Sequence, residues 1–171
     1  MSTAPATWLS EAEQRAWRAW LAADRLLFDR LDHDLQHDAG MSVADFEVLV
    51  RISEAPGAHL RMSELADETL FSRSRLSHAV ARLEDLGWLH RQSCPTDKRG
   101  TLAGLTDAGR AALEAAASAH VAAVRRYVFD ALDPDEVHQL EHLATKIRSR
   151  LAPPDPGGIV GCPGAGLGLP G

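Results

Sequence analysis

Residues 61–105 read RMSELADETLFSRSRLSHAVARLEDLGWLHRQSCPTDKRGTLAGL, and this stretch decides the fold. Ser63 stands as the N-cap of a short helix through about Glu68. Thr69-Leu70-Phe71 forms a tight join. A second helical pattern runs from about Ser72 or Ser74 to Leu86, with Leu76, Val80 and Leu83 recurring as one inward face. Gly87 stops it. Two short apolar runs, 88–93 and 101–105, flank a basic turn from Cys94 to Gly100. Helix, join, helix, hairpin is the order of a winged helix-turn-helix, which sets one helix in a DNA major groove.

With Leu76, Val80 and Leu83 inward, Ser74, Ser77, His78 and Ala81 point outward, and Arg75 and Arg82 lie on the flank. Arginine can donate two hydrogen bonds to guanine, and serine and histidine reach base edges or phosphates. Ser72 and Arg73 sit at the helix start, where backbone N–H groups favour phosphate. The turn carries adjacent cations, Lys98 and Arg99, with Asp97 placed to brace Arg99. A projecting arginine suits a narrow, negative minor groove. The candidate DNA-contacting set is therefore Ser72, Arg73, Ser74, Arg75, Ser77, His78, Arg82, Asp97, Lys98 and Arg99. A solvated helix face and a charged surface hairpin are the plainer alternatives.

Outward from this stretch the chain is mostly helical. Ser10 to Asp38 reads as a long helix with Trp17, Leu21, Phe28, Leu31 and Leu35 on one stripe, ended by Gly40. Ser42 caps a second helix with Asp45 three residues on, and Phe46, Leu49 and Val50 form its buried side. His59 to Met62 fits a very short strand. Thr106 caps an alanine-rich fifth helix reaching about Leu132. Asp133-Pro134-Asp135-Glu136 restarts a sixth, with Val137, Leu140, Ala144, Ile147 and Leu151 on one stripe. Beyond Ala152, twelve of nineteen residues are Pro or Gly, a composition expected to stay disordered.

The chain has 171 residues, 45% hydrophobic and 25% charged, which is ordinary globular composition. No apolar run approaches the ~20 residues that span a bilayer, and residues 1–14 carry no secretory pattern. Two cysteines make no disulfide scaffold, so a cytoplasmic protein without membrane partners is expected. The net charge is −6, yet residues 72–101 hold six basic and three acidic side chains, leaving −9 on the rest. A basic patch on an acidic body disfavours indiscriminate phosphate binding.

The stretch SELADETLFSRSRLSHAVARLEDLGWLHRQSCPTDKRGTLAGLTDAGRAAL resembles the signature of the MarR-type (multiple antibiotic resistance regulator) transcriptional regulators. The carrying features are the S-R-x-x-x-x-L-E-type helix ending at Gly87, the D-x-R-G wing at 97–100, and the L-T-x-x-G element at 105–109. The resemblance covers about residues 10–151. It implies a homodimer whose outer helices, 10–38, 106–132 and 134–151, intertwine. It also implies recognition helices in successive major grooves of a pseudo-palindromic operator, with Arg99 in the minor groove. Repression relieved by a small molecule, often a phenol or aromatic acid, is the family's usual mode. The length and amphipathicity of the three outer helices argue for two-fold pairing independently, since one small wing domain cannot bury three such stripes.

The expected fold class is mainly α with a small β-wing. The helical dimerisation region is 10–38 and 106–151, the DNA-binding domain is 42–105, and 152–171 is a tail. The expected partners are double-stranded DNA, a second copy and a small-molecule effector. For the effector, the resemblance points to the junction of the first helix, the second helix and the DNA-binding lobe. Trp17, Trp20, Leu21, Asp24 and Phe46 are the candidate lining, and Asp24 is notable as an acid on an apolar stripe. Dimer packing explains the tryptophans equally well. The pairs His33/His37 and His138/His142 lie opposite their apolar stripes, which favours solvated surface over metal ligation. Cys94 lies near Arg91, Lys98 and Arg99, where cations can activate a thiol. A metal- or redox-responsive regulator, and a winged helix that binds only protein, are the rival readings. No catalytic site, cofactor or metal is assigned, because no P-loop or nucleophile elbow occurs and the G-x-G of the tail follows no strand.

Overall fold

The computed structural model describes residues 8–94 and 97–151, apart from the side chains at 94 and 97–99. The expectation of a disordered tail at 152–171 lies outside the described residues. Two compact units are present, one ending at Val128 and one starting at Phe129.

The first unit runs α1 (Glu11–Ala39), α2 (Val43–Glu54), β1 (His59–Arg61), α3 (Met62–Thr69), α4 (Arg73–Asp85), β2 (Leu89–Cys94), β3 (Asp97–Leu105) and α5 (Asp107–Tyr127). The strands form an antiparallel sheet in the order β1-β3-β2. This is a mainly helical winged helix-turn-helix. The second unit holds a 3-10 turn, Phe129–Ala131, and α6 (Pro134–Leu151). Asp133 and Glu136 exchange side-chain-to-backbone bonds of 2.9 Å at the start of α6.

Capping residues set the helix starts. Ser10 and Glu13 make a reciprocal capping box at α1, and Ser42 and Asp45 make another at α2. The core joins Leu35 of α1 to Phe46, Val48, Leu49 and Ile52 of α2, Leu65 of α3, and Leu76, Val80 and Leu83 of α4. Leu89, Ala103 and Leu105 close it from the sheet.

Four expectations need adjustment. The cap of α3 is Arg61, not Ser63; the Arg61 N–H donates to Glu64 Oε2 at 3.3 Å, and the chain turns helical directly out of β1. Val50 is only half-buried, while Val48 and Ile52 are fully enclosed, because α2 is packed from both sides. The fifth helix stops at Tyr127, five residues before Leu132, where Val128 leaves helical geometry. The wing strands run further than the turn chemistry suggested, since Cys94 pairs with Asp97 across a register shift.

The L-T-x-x-G element has a steric cause. Thr106 N donates to Trp88 O at 3.0 Å, and Thr106 Oγ1 accepts from Gly109 N at 3.0 Å. That clasp brings the start of α5 so close to the wing that a Cβ on Gly109 would stand 2.1 Å from Trp88 O. Alanine is a better helix former than glycine by ~1 kcal/mol. Gly109→Ala is nevertheless expected to cost ~1–3 kcal/mol net, because backbone must move. Urea denaturation checks this, and an unchanged midpoint would contradict the clasp.

His120 of α5 stacks on Phe46 of α2, with ring centroids 4.4 Å apart. Its Nδ1 is buried with no hydrogen-bond partner among the described residues. Burial holds the ring below its ordinary pKa of 6.5. The unfolded chain therefore takes up a proton there at higher pH than the folded chain. The stability tied to a neutral His120 is complete above 6.5 and falls as pH drops below it. His37 titrates in the opposite sense, raised by its exposed hydrogen bond to Asp38. Comparing variants isolates His120: the loss in melting temperature between pH 7.5 and 5.5 (~10-fold or more in proton activity across its range) is expected to shrink in His120→Phe. Equal losses in both proteins would contradict this assignment.

Candidate nucleic-acid interface

Helix α4 is built with two different sides. Leu76, Ala79, Val80 and Leu83 are buried, whereas Ser74, Ser77 and His78 are exposed. Ala81 is half-buried between them. The helix begins at Ser72, whose Oγ accepts from Arg75 N at 3.2 Å. Its first turn therefore keeps other N–H groups and the exposed Arg73 near the surface. At the other end Gly87 takes the left-handed conformation, φ 72°, and its N–H returns to Glu84 O at 2.9 Å.

Arg82 is not a free arm. Its guanidinium pairs with the fully buried Asp45 and donates to Ser42 Oγ at 2.8 Å. Asp45 Oδ2 also accepts from Ser42 N at 2.8 Å and Ser42 Oγ at 2.6 Å. Asp45 Oδ1 is buried and finds no hydrogen-bond partner among the described residues. The capping box of α2 thus doubles as an anchor for α4. This placement gives Arg82 a positioning task in place of the outward one its helical angle suggested.

Arg75 is also turned aside. Its guanidinium lies over the Phe71 ring, 4.1 Å from the centroid. It lines a groove of about 640 Å³ with Asp24, Phe28 and Asp32 of α1, Glu47 of α2 and Phe71. Asp32 Oδ1 accepts from Val43 N at 2.9 Å. Burial pushes the Glu47 carboxyl above its usual range, opposed by Arg51 and Arg75. Leu70, beside Phe71, has φ 54° and is 81% exposed, so the join holds a branched side chain in a conformation it resists.

Of the candidate effector lining, only Asp24 reaches this groove. Phe46 is in the core against His120, and Trp17 and Trp20 are surface-exposed on α1. Leu21 is half-buried outside it. The structure therefore does not bring those five residues together. The α1 stripe splits for the same reason: Leu31 and Leu35 are buried on α5 and α2, while Trp17 and Phe28 remain 54% and 52% exposed.

A second cleft was missed in the sequence. Arg61, Ser63, Ser77, Arg91 and Thr101 surround it, between the start of α3, the middle of α4 and the wing. Arg91 donates to Ser77 O at 3.3 Å and stands 3.6 Å from Glu84. The alternation along β2 carries a signal, since Arg91 shares the face of the buried Leu89. Asp97, Lys98 and Arg99 are on β3, and their side chains lie outside the described residues, as does that of Cys94. His33 and His37 stack at 6.4 Å, and His138 Nδ1 is 2.7 Å from Pro134 O. Among the described residues no group of three or more His, Cys, Asp or Glu is placed to hold a metal ion. No described helix is long and apolar enough to cross a membrane.

Comparison with known proteins agrees with this geometry. Residues 39–100 match the family model for the MarR family. The crystal structure of Sco3205, a MarR family transcriptional regulator from Streptomyces coelicolor in complex with DNA, is 46% identical. The match covers 88% of this chain and 94% of that one, with a TM-score of 0.85. This chain belongs to the MarR family. AbsC, a MarR family transcriptional regulator from the same organism, is 40% identical over 85% of this chain and 98% of its own, at a TM-score of 0.81. The HTH-type transcriptional regulator YkoM of Bacillus subtilis (strain 168) is 31% identical over 86 residues. That segment is 50% of this chain and spans about half of the relative, 55%. These relatives are transcriptional regulators rather than enzymes. The MarR assignment accounts for the D-x-R-G wing and the Thr106–Gly109 clasp as parts of one shared scaffold.

Proposed function

We propose that this MarR-family chain is a homodimeric, sequence-specific DNA-binding regulator that represses from a pseudo-palindromic operator and is released by a small ligand. The observation that carries this is the exposed polar row of α4, Ser74, Ser77 and His78, held rigid by four buried apolar residues beneath it. The 46% identical Sco3205 presents the same scaffold in a complex with DNA. In this reading Ser72 and Arg73 meet phosphate at the helix start, and Ser74, Ser77 and His78 read the major groove. Lys98 and Arg99, braced by Asp97, reach the backbone and minor groove. Arg82 holds α4 against α2, and Arg75 answers to the groove it lines.

Residues 42–105 serve as the DNA-binding domain, and 10–38 with 106–151 as the dimerisation region. Exposed apolar surface supports the pairing. On α1, Trp17, Trp20 and Phe28 face outward; on α6, Leu143, Ile147 and Leu151 do, Leu151 at 77% exposure. Such contiguous apolar surface marks an interaction site. The 640 Å³ groove between α1, α2 and α4 is the seat proposed for the effector, within the size range of small-molecule sites.

Titration of the DNA flanking the gene against scrambled DNA, over a range of salt, tests this. Tighter binding to the flanking DNA by ~10³-fold or more, with affinity falling steeply in salt, is expected. Equal affinity for both DNAs would leave a winged helix that reads no sequence. In the same assay Arg99→Ala is expected to weaken binding to all DNAs and to lower the salt slope by ~1 per half-site.

A further inference from the structure

We infer that the groove between α1, α2 and the start of α4 takes an organic cation with a flat head, and that Arg75 occupies the ligand's place when none is bound. The inference rests on the effector seat proposed above and names the charge of its ligand. An aromatic acid, the usual ligand class by family resemblance, is the wrong sign for this chain.

The chain itself shows what the groove binds. The Arg75 guanidinium, a flat cation, lies over the Phe71 ring at 4.1 Å on the same groove wall as Glu47. An aromatic face beside a carboxylate is the arrangement that selects a delocalised cation. Arg75 reaches it from the first turn of α4, so its hold is intramolecular and reversible. With Arg75 set aside as the occupant, the charged lining is Asp24, Asp32 and Glu47 against Arg25 alone. Phe28 and Leu70 supply apolar surface for a ring. The Glu47 carboxyl, raised by burial, is the group with most to gain from a close cation.

Competition follows from this geometry. A ligand cation over Phe71 must evict Arg75, and the two like charges then repel. Removing Arg75 should therefore tighten a cation and weaken an anion, opposite signs from one substitution.

Benzamidine, an aryl amidinium, and benzoate, its anionic counterpart, are the probes for calorimetric titration of the full-length protein. Benzamidine is expected to bind and benzoate not to. Arg75→Ala is expected to tighten benzamidine about 3- to 30-fold, the span of one exposed to desolvated cation–π contact. Glu47→Gln and Phe71→Leu are expected to weaken it by a similar factor. Both side chains are partly exposed, and melting curves verify folding; should Phe71→Leu unfold, Glu47→Gln carries the test. Benzoate binding that Arg75→Ala weakens would overturn the inference, as would benzamidine binding unmoved by Arg75→Ala, or no benzamidine binding to either protein. Operator titration without ligand separates the two claims. Intact operator binding with failed benzamidine binding sinks this inference alone, and the reverse sinks the DNA reading alone.

Discussion

Arg82→Leu is expected to lower unfolding stability by about 3 kcal/mol, the lower end of the cost of breaking a buried ion pair. The lower end applies because Arg82 is partly exposed, whereas Asp45 is fully enclosed. Removing the arginine strands a carboxylate in the core. Asp45 keeps its bonds to Ser42 N and Oγ, but its Oδ1 already has no hydrogen-bond partner among the described residues. Removing the acid instead frees Arg82 to turn into water. Asp45→Leu therefore costs less, ~1–2 kcal/mol for the lost capping box and tether. The double variant Asp45→Leu/Arg82→Leu should be more stable than Arg82→Leu alone, since no buried charge is left over. A double-mutant cycle by urea denaturation measures this coupling. Arg82→Leu within 0.5 kcal/mol (roughly the scatter of neutral surface changes) would mean that the tether is not holding α4. Arg82→Lys keeps the charge and loses the planar fork, so partial rescue is expected.

The second large effect is on DNA. Ser77→Glu with His78→Glu places two carboxylates on the exposed row of α4. Each lost base contact is worth ~1–3 kcal/mol, and a two-fold complex loses it in both half-sites. The expected loss is ~2–6 kcal/mol, roughly 30-fold to more than 10⁴-fold in affinity, before repulsion from phosphate is added. Stability should move little, because both side chains are exposed and neither has a bond to lose within the described set. Electrophoretic mobility shift with matched melting curves separates the two quantities. Affinity within threefold of the parent, in a folded double variant, would remove α4 from the groove.

These two cases show what a sequence of this kind discloses. The inward face of α4 was legible because Leu76, Val80 and Leu83 repeat at helical spacing, and the helix ends were legible in Ser72 and Gly87. Capping boxes at Ser10 and Ser42 were legible for the same local reason. The tether between Asp45 and Arg82 was not, since it joins residues on different helices through a rotamer choice that periodicity does not encode. The same holds for Arg75, whose helical angle allows an outward or a sideways guanidinium, and for which Phe71 decides the matter. Phe46 reads as apolar lining or as core with equal ease; only the approach of His120 from α5 places it in the core. The short range of α5 was hidden because Val128 and Phe129 continue an apolar pattern past the point where the backbone leaves the helix. Local chemistry thus announced the elements, while the long-range polar and aromatic contacts that aim the candidate site did not.

The central claim is that two copies of the α4 surface meet one DNA duplex at matching pitch. DNase footprinting of the DNA flanking the gene tests it most directly. Protection over two half-sites centred ~10–10.5 base pairs apart, ~34 Å along the duplex, is expected at one protein dimer per site. A single protected half-site bound by one chain, or uniform protection without boundaries, would contradict it.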